Sequence, residues 1–343
     1  MQEEMDVPLP LSKMTIGIVF NLKKGIKAKA IDAEAELDCI DTVYAIRDVF
    51  VKNGYNVELL EADKRLMEKL NNSKVDIIFN IAEGLNGRGR EAQIPALLSM
   101  LGIAYTGSDE TTLCVALDKA LTKRILSTYH VHTPKYLVIK KNGKIKPHTL
   151  EFPIIVKPNA EGSSKGISEI SIVHSEKELK ELIKTNIDLY NEDMLAEEYI
   201  HGREFTVGIL GNNGDTKVFE PMEIIYKKPT QGDYYVYSYN VKQNYKEYVE
   251  YQCPADISID ANNEMKEVAE KVYRELQCKD FSRIDFRMDE KGVLHFIEIN
   301  PLPGLAPGYS DYPMLADFCG TNYNDLIMGI LNAALKRYNL TSK

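Results

Sequence analysis

Residues 281–300 read FSRIDFRMDEKGVLHFIEIN. Side chains alternate between the two faces of a strand. Phe281, Arg283, Asp285 and Arg287 therefore share one face of the first half, and Phe296, Glu298 and Asn300 share one face of the second. Lys291-Gly292 reads as a two-residue hairpin turn between them. That register sets Asp285 opposite Glu298 and Arg283 opposite Asn300. Two carboxylates, an amide and a guanidinium gather on one surface. Mg²⁺ takes oxygen ligands, usually a few carboxylates completed by substrate phosphates. The set suits metal-held phosphate; taken alone, the segment is more often a solvated strand face of mixed charge.

Working outward, residues 153–157 (PIIVK) form a buried apolar strand that ends in Lys157. A lysine there must meet an anion or reach water, and phosphate is one such anion. The stretch EGSSKGIS (161–168) follows, whose amides and hydroxyls could cradle phosphate. It is neither a P-loop nor a GxGxxG fingerprint, and a plain turn is its bland alternative. In LAEEYIHGREF (195–205), Glu197, Glu198 and Glu204 flank a strand connection. Such acids can hold adenine or ribose, or simply face solvent.

The N-terminal part alternates regularly. Strands at 14–20, 55–60 and 75–80 are separated by helices at 32–53 and 63–70, a pattern that implies a parallel sheet with crossover helices. Residues 91–101 look helical, with Pro95 in the first turn. Ser108 or Asp109 caps a helix running through Ile125. Beyond it the pattern becomes α+β, with strands at 136–139, 153–157, 167–173, 195–200 and 204–210 and a helix at 176–190. Residues 229–252 are tyrosine-rich and aperiodic, as a functional loop or lid would be. The boundaries fall near Gly107 and Tyr199, giving domains 14–107, 108–198 and 199–343 behind a disordered tail at 1–13.

The 343 residues exceed one small core, and 44% apolar with 27% charged residues is a globular composition. The net charge is −9 and no Lys/Arg stripe is interleaved with aromatics, which argues against nucleic-acid binding. No run of about 18 apolar residues is present to span a membrane, and residues 1–13 lack the apolar core of a signal peptide. The five scattered cysteines fit a reducing cytoplasm and argue against a disulfide framework.

Taken in order, these segments resemble the D-alanine–D-alanine ligase family of ATP-grasp enzymes, from about Met14 to Tyr338. The most specific stretches are YTGSD with LDKALTK (105–109, 117–123), VKPNAEGSSKGIS (156–168), EEYIHGREFTV (197–207) and RIDFRMDEKGVLHFIEINPLPGLAPG (283–308). The resemblance implies an α/β and α+β chain: an ATP-grasp fold behind an N-terminal parallel-sheet domain. It implies a cytoplasmic ligase of peptidoglycan synthesis that joins two amino acids through an acyl phosphate. ATP and two Mg²⁺ ions would be its cofactors, with Mn²⁺ as a substitute. Its partners would be small-molecule amino acids and a second copy of itself, with no nucleic acid and no membrane.

By position, the resemblance makes Lys119 and Lys157 phosphate lysines, with Ser163 and Ser164 on the phosphate loop. Glu197, Tyr199 and Ile200 become the adenine contacts and Glu204 the ribose ligand. Lys242, in YSYNVK, becomes the lid lysine that reaches the γ-phosphate. Asp285, Glu298 and Asn300 become metal ligands. Arg283 and the Gly304 N–H become oxyanion donors. Ser310 meets the accepting amino acid, and Glu34 the first substrate's ammonium.

Two positions depart from the family. Its His-Gly pair after the third strand reads Glu83-Gly84 here, and its lid aromatic is Gln243. Glu83 and Glu34 together would repel a substrate carboxylate unless Arg88 or Arg90 intervenes; either arginine is equally an ordinary loop residue. These departures point to a substrate other than D-alanine: a bulkier, more polar or basic amino acid, an L-amino acid or a specialised dipeptide. The non-enzymatic alternative is an ATP-binding module that has lost catalysis.

Overall fold

Six consecutive residues, β1 (Thr15–Phe20), all but the first buried, form the centre of a parallel sheet. In this computed structural model, which describes residues 14–25, 32, 34–162 and 171–340, the first helix is α1 (Ile40–Lys52). It leads to β2 (Asn56–Glu61), α2 (Leu66–Asn72) and β3 (Ile77–Asn80), and the sheet order is β2-β1-β3, all parallel. The tail expected at 1–13 and the serines Ser163 and Ser164 lie outside the described residues. α1 starts later than the 32–53 pattern suggests. A parallel bridge joins Leu22 to Asp38, with Lys23 N–H donating to Asp38 O and Asp38 N–H to Asn21 O. Turns closed by Ala35 N–H to Asp32 O and Leu37 N–H to Glu34 O precede that bridge, so helical pairing begins only after Cys39.

A short 3₁₀ turn, Arg90–Ala92, leads into α3 (Gln93–Leu101), with Pro95 in the first turn. The single helix expected through Ile125 is two: α4 (Glu110–Leu117), capped by Asp109, and α5 (Lys119–Ser127), capped by Asp118. The Asp118 carboxylate accepts from Leu121 N–H and from the Asn159 amide, which makes a break there favourable. The break turns Lys119 and Lys123 inward, where both are buried.

The remainder forms two antiparallel layers. The smaller sheet has the order β4 (Tyr136–Ile139), β7 (Met194–Glu198), β5 (Ile154–Pro158), β6 (Ile172–Val173). α6 (Glu176–Tyr190), capped by Ser175, covers one of its faces. The larger sheet is built on β8 (Arg203–Leu210), with β9 (Lys217–Val218) at its end and β10 (Met222–Tyr226) alongside. Residues 229–252 are less irregular than their sequence suggests. They hold α7 (Tyr239–Gln243), α8 (Tyr245–Tyr248) and β11 (Val249–Gln252), which pairs with β10. α9 (Ile259–Glu275) packs Met265, Ala269 and Val272 against Phe205, Val207 and Ile209 of β8. β12 (Phe281–Met288) and β13 (Leu294–Asn300) complete the sheet.

α10 (Asp311–Phe318) and α11 (Tyr323–Arg337) cover the opposite face and join the core beneath β1. Gly208 permits this: a Cβ there would lie 2.4 Å from Leu315 and 2.8 Å from Phe219.

Asp280 ties the layers together. Fully buried, it accepts from Gly107 N–H (2.8 Å), the Asn212 amide (2.6 Å) and the Arg337 guanidinium (2.7 Å). Arg337 also donates to the carbonyls of Tyr105 and Gly107. Asp280→Ala removes the partner of a half-buried cation and strands two amide donors at once. Chemical denaturation will show a loss on the order of 3 kcal/mol, and Asp280→Asn will lose less.

Candidate active site

The β12–β13 hairpin has the expected pairing where it matters: Asp285 faces Glu298, and Arg283 faces Asn300. The turn is different. Asp289 and Val293 close it, the Asp289 carboxylate accepts from the Lys291 and Val293 amides, and Gly292 takes φ +82°. The pairing next to the turn is therefore offset by one residue, and a bulge at Ile297 restores it between Asp285 and Phe286. Phe296 lies on the opposite face from Glu298, packed with Phe286 in the core, while Ile297 joins Glu298 in the cleft.

That cleft lies between the two antiparallel sheets. The smaller sheet contributes Ile155, Lys157 and Glu197, with Tyr199 and Ile200 just beyond it; the larger contributes Glu204, Arg283, Asp285, Arg287 and Glu298. In its floor Glu197 accepts ion pairs from Lys123 (2.9 Å) and Lys157 (2.8 Å). Burial pushes the Glu197 carboxyl up, but the two lysines outweigh it and hold it below the usual range. Burial pushes Lys123 down to about 8.

Lys119 pairs with Glu298 at 3.3 Å and donates to the carbonyl of Glu161. Burial is again outweighed at Glu298, by Lys119, Lys157 and Arg283, and its carboxyl drops to about 2. Arg283 grips Asp285 through two nitrogens (3.0 and 2.8 Å) and reaches Asp311 at 3.1 Å. Arg287 holds Glu204 at 3.0 Å, and Tyr226 donates to the same oxygen at 2.8 Å.

A second cavity continues from Glu298 and Asn300 to Lys119, Glu36, Glu83 and Glu91. A third, sharing Glu36 and Glu83, is lined by Lys242, Gly304, Tyr309 and Ser310. The Gly304 backbone lies against Ser310, whose Oγ is 2.8 Å from where a Cβ would be. Among the described residues nothing accepts from the Gly304 N–H. Lys242 also faces the cleft between the two sheets, and burial lowers its pKa. Gln243, which stands where the resemblance has an aromatic, donates to Tyr309 at 2.7 Å, and Tyr245 donates to Gly308 O at 3.1 Å. Through these bonds residues 239–248 dock on the 301–310 loop.

The structure thus brings Lys119, Lys157, Glu197, Tyr199, Ile200, Glu204, Lys242, Arg283, Asp285, Glu298, Asn300, Gly304, Ser310 and Glu83 around connected cavities. Glu34 is placed differently. Its carboxylate accepts from the Lys24 and Gly25 amides, which ties down the chain after β1. Glu36, two residues on, is the acid that lines the cavities and pairs with Arg90. Arg88 is largely exposed and pairs with Asp118, while Arg90 is buried and pairs with Glu36; both line a further cavity that shares Glu36. The sequence reading assigned no role to Lys123, Arg287, Asp311, Glu36 or Glu91. A signal existed for the first two. Lys123 lies one helical turn after Lys119, and Arg287 continues the alternation of Arg283 and Asp285.

Two antiparallel sheets closing on one cleft, lysines on the first and a carboxylate hairpin on the second, define an ATP-grasp protein. Residues 125–332 match the family model described as D-ala D-ala ligase C-terminus. The D-alanine–D-alanine ligase of Aquifex aeolicus is 36% identical over 296 residues, which cover 85% of this chain and 94% of that one. That of Carboxydothermus hydrogenoformans is 30% identical over 324 residues, covering 92% and 99%. An uncharacterised protein of Sinorhizobium fredii, y4sG, is 32% identical over 295 residues, covering 83% and 84%. The fold matches a D-alanine–D-alanine ligase from Bacillus anthracis solved with ATP, at 21% identity and a TM-score of 0.74 over 95% of this chain and 99% of that one. The chain belongs to the D-alanine–D-alanine ligase family, a family of ATP-dependent, ADP-forming ligases.

One electrostatic consequence is testable without substrate. Burial, with the nearby charge of Glu36 incompletely offset by Arg90 and Lys119, pushes the Glu91 carboxyl up to about 8. Its unfolded value is about 4.3. Between those values the folded state holds a proton that the unfolded state has lost, so stability falls as pH rises through that window. Glu91→Gln removes the penalty. Thermal melts without nucleotide will show a gain of roughly 3 °C or more at pH 8 and little change at pH 5.

Proposed function

We propose that this protein activates the carboxylate of one amino acid with ATP and joins it to the amine of a second. The observation that carries this reading is the convergence of Lys119, Lys157, Lys242 and Arg283 with Asp285 and Glu298 around connected cavities. Such a set has little covalent chemistry of its own; it positions phosphates and neutralises their charge, which is what phosphoryl transfer requires. The adenine end would lie against Glu197, Tyr199 and Ile200, with the ribose at Glu204, which Arg287 and Tyr226 hold in place.

The donor set also fits a hard cation. Asp285, Glu298 and Asn300 offer only oxygen among plausible ligand atoms, and they share a hairpin face. Among the described residues no three His, Cys, Asp or Glu side chains converge on one point. Two carboxylates and an amide therefore leave coordination positions for phosphate oxygens, the arrangement Mg²⁺ prefers. Mg²⁺ bound there supplies charge neutralisation to the transferring group.

The chain's own residues account for the rest. A substrate carboxylate oxygen attacks the γ-phosphorus, the bond to the β-phosphate oxygen breaks, and ADP leaves. Lys119 and Lys157 hold the phosphates. Lys242 enters from the lid, whose docking through Gln243 and Tyr245 excludes water from the acyl phosphate. The amine of the second substrate then attacks the acyl carbon. The new C–N bond forms, the nitrogen gives up a proton, and phosphate departs. Arg283 and the Gly304 N–H stabilise the developing oxyanion. The reaction uses ATP, and we place the protein in the cytoplasm; no helix among the described residues is long and apolar enough to cross a membrane.

The test is amino-acid-dependent release of ADP and phosphate from Mg²⁺-ATP, with D- and L-amino acids supplied singly and in pairs. The reading expects release with at least one pair and a dipeptide in the mass spectrum. Arg283→Met should lower kcat by roughly 10²–10³. Nucleotide binding with no amino-acid-dependent ADP release would sink the reading.

A further inference from the structure

Among the described residues, the acids at the substrate end of the site outnumber the cations beside them. Three cavities meet at Glu36. Glu91 faces the one beside Asn300, Glu83 faces that one and the one of Gly304, Glu161 lines two, and Glu192 lines a further one beside Arg88 and Arg90. Arg90 already serves two of these acids, donating to Glu36 at 3.0 Å and pairing with Glu161 at 2.9 Å. Lys119 is shared with Glu298, and Lys242 faces Asp311, Asp285 and Arg283 as well as Glu83.

Glu91 is the telling residue. It is 6% exposed, it lines the cavity beside Glu298 and Asn300, and no hydrogen bond or ion pair holds its carboxylate among the described residues. Glu192 adds a buried Oε1 without a hydrogen-bond partner. A chain that needed only to fill this space would place apolar groups here, because a buried carboxylate without a partner is costly. Acids kept unpaired at the wall of a substrate cavity are paired by what enters it.

We infer that the first substrate is an amino acid carrying a second cation on its side chain, held by Glu91 and Glu83. The geometry gives it an orientation. Glu83 lines both the cavity of Gly304, Ser310 and Lys242 and the cavity of Glu91. A substrate whose carboxylate meets Gly304 and Lys242 passes Glu83 and Glu36 with its α-ammonium. Its far end then points to Glu91, which a side-chain ammonium would pair in its ionised form, while a neutral side chain would leave it a buried acid without a partner.

This inference rests on the ligase reading, and binding separates the two. Calorimetry on the whole protein, saturated with Mg²⁺ and a non-hydrolysable ATP analogue, would compare lysine with norleucine and ornithine with norvaline, as both enantiomers. In one enantiomeric series the basic amino acid should bind about tenfold or more tighter than its neutral isostere, the effect of one charge-assisted hydrogen bond. Glu91→Gln should erase most of that preference, and Glu83→Gln should reduce it, with thermal melts reporting the fold of each. Equal or tighter binding of the neutral isosteres overturns the inference whatever the turnover. So does an unchanged preference in both variants. ADP release is measured on the same panel: its absence with every amino acid strikes the ligase reading alone, while release favouring the neutral isosteres strikes only the second cation.

Discussion

Glu197 lies in the dry floor of the cleft with an ammonium group on each side, and much of the molecule is arranged to put it there. Lys157 comes from the neighbouring strand β5; Lys123 comes from the buried face of α5. Two lysines on one carboxylate leave a surplus positive charge in a low-dielectric site. Such a triad adds little to stability by itself, since desolvation offsets most of the attraction. Its value is to a ligand. Phosphate brings the missing negative charge into a place where each charge–charge contact counts for more than in water. The break between α4 and α5 follows from the same requirement, because a continuous helix through Asp118 would direct the two lysines of α5 differently. Asn159 holds that break, accepting from Ala120 N–H and donating to Asp118, at the point where β5 ends.

Across the seam formed by Lys119 and Glu298 the polarity reverses. On the proposed nucleotide side Glu197 and Glu298 each have two lysines beside them; on the proposed substrate side Glu36, Glu83, Glu91, Glu161 and Glu192 crowd around Arg90. A ligase that transfers a phosphoryl group to a carboxylate brings two anions together, so its cations belong where phosphate and carboxylate meet. Acids are useful only farther out, where the amine ends of substrates lie. The order of charges along the connected cavities matches this division. It also explains why Arg90 is so firmly held. With Glu36, Glu161 and the Ala160 carbonyl all taking its protons, it organises the acids instead of offering itself to an incoming carboxylate.

What the sequence made legible is what alternates or repeats locally. The face carrying Arg283 and Asp285, the pairing with Glu298 and Asn300, the parallel strands of the first domain and the limits of α6 all follow from short-range pattern. Compensating irregularities did not show. The Asp289–Val293 turn and the bulge at Ile297 shift the register in opposite senses, so the pairing at the site looks the same while Phe296 changes face. Glu34 and Glu36 differ only in which way a turn carries them, and the bridge from Leu22 to Asp38 decides it. Lys123, Asp311 and Asp280 acquire their importance from partners far along the chain, which no local pattern encodes. The two short helices within 239–248 are four and five residues long, too short to leave a hydrophobic period.

The 301–311 loop shows why the lid and the acyl site belong together. It presents the Gly304 N–H and Ser310 to the substrate cavity, and Tyr309 and the Gly308 carbonyl to the lid. At its end Asp311 accepts from Tyr237 and Tyr251, one on each side of the lid helices, and from Arg283 of β12. Arg283 is thereby stretched between Asp285 and Asp311 and stays charged, burial notwithstanding. Any movement of the lid that disturbs the tyrosine pair also disturbs the carboxylate that positions Arg283. Arg283, the proposed oxyanion donor, and the lid are thus held by one set of hydrogen bonds. Replacing the family's aromatic by Gln243 keeps that coupling with a different bond, since its amide reaches Tyr309 directly. The departure from the family in the lid is therefore a substitution of contact, whereas the departure at Glu83 changes the charge that a substrate meets.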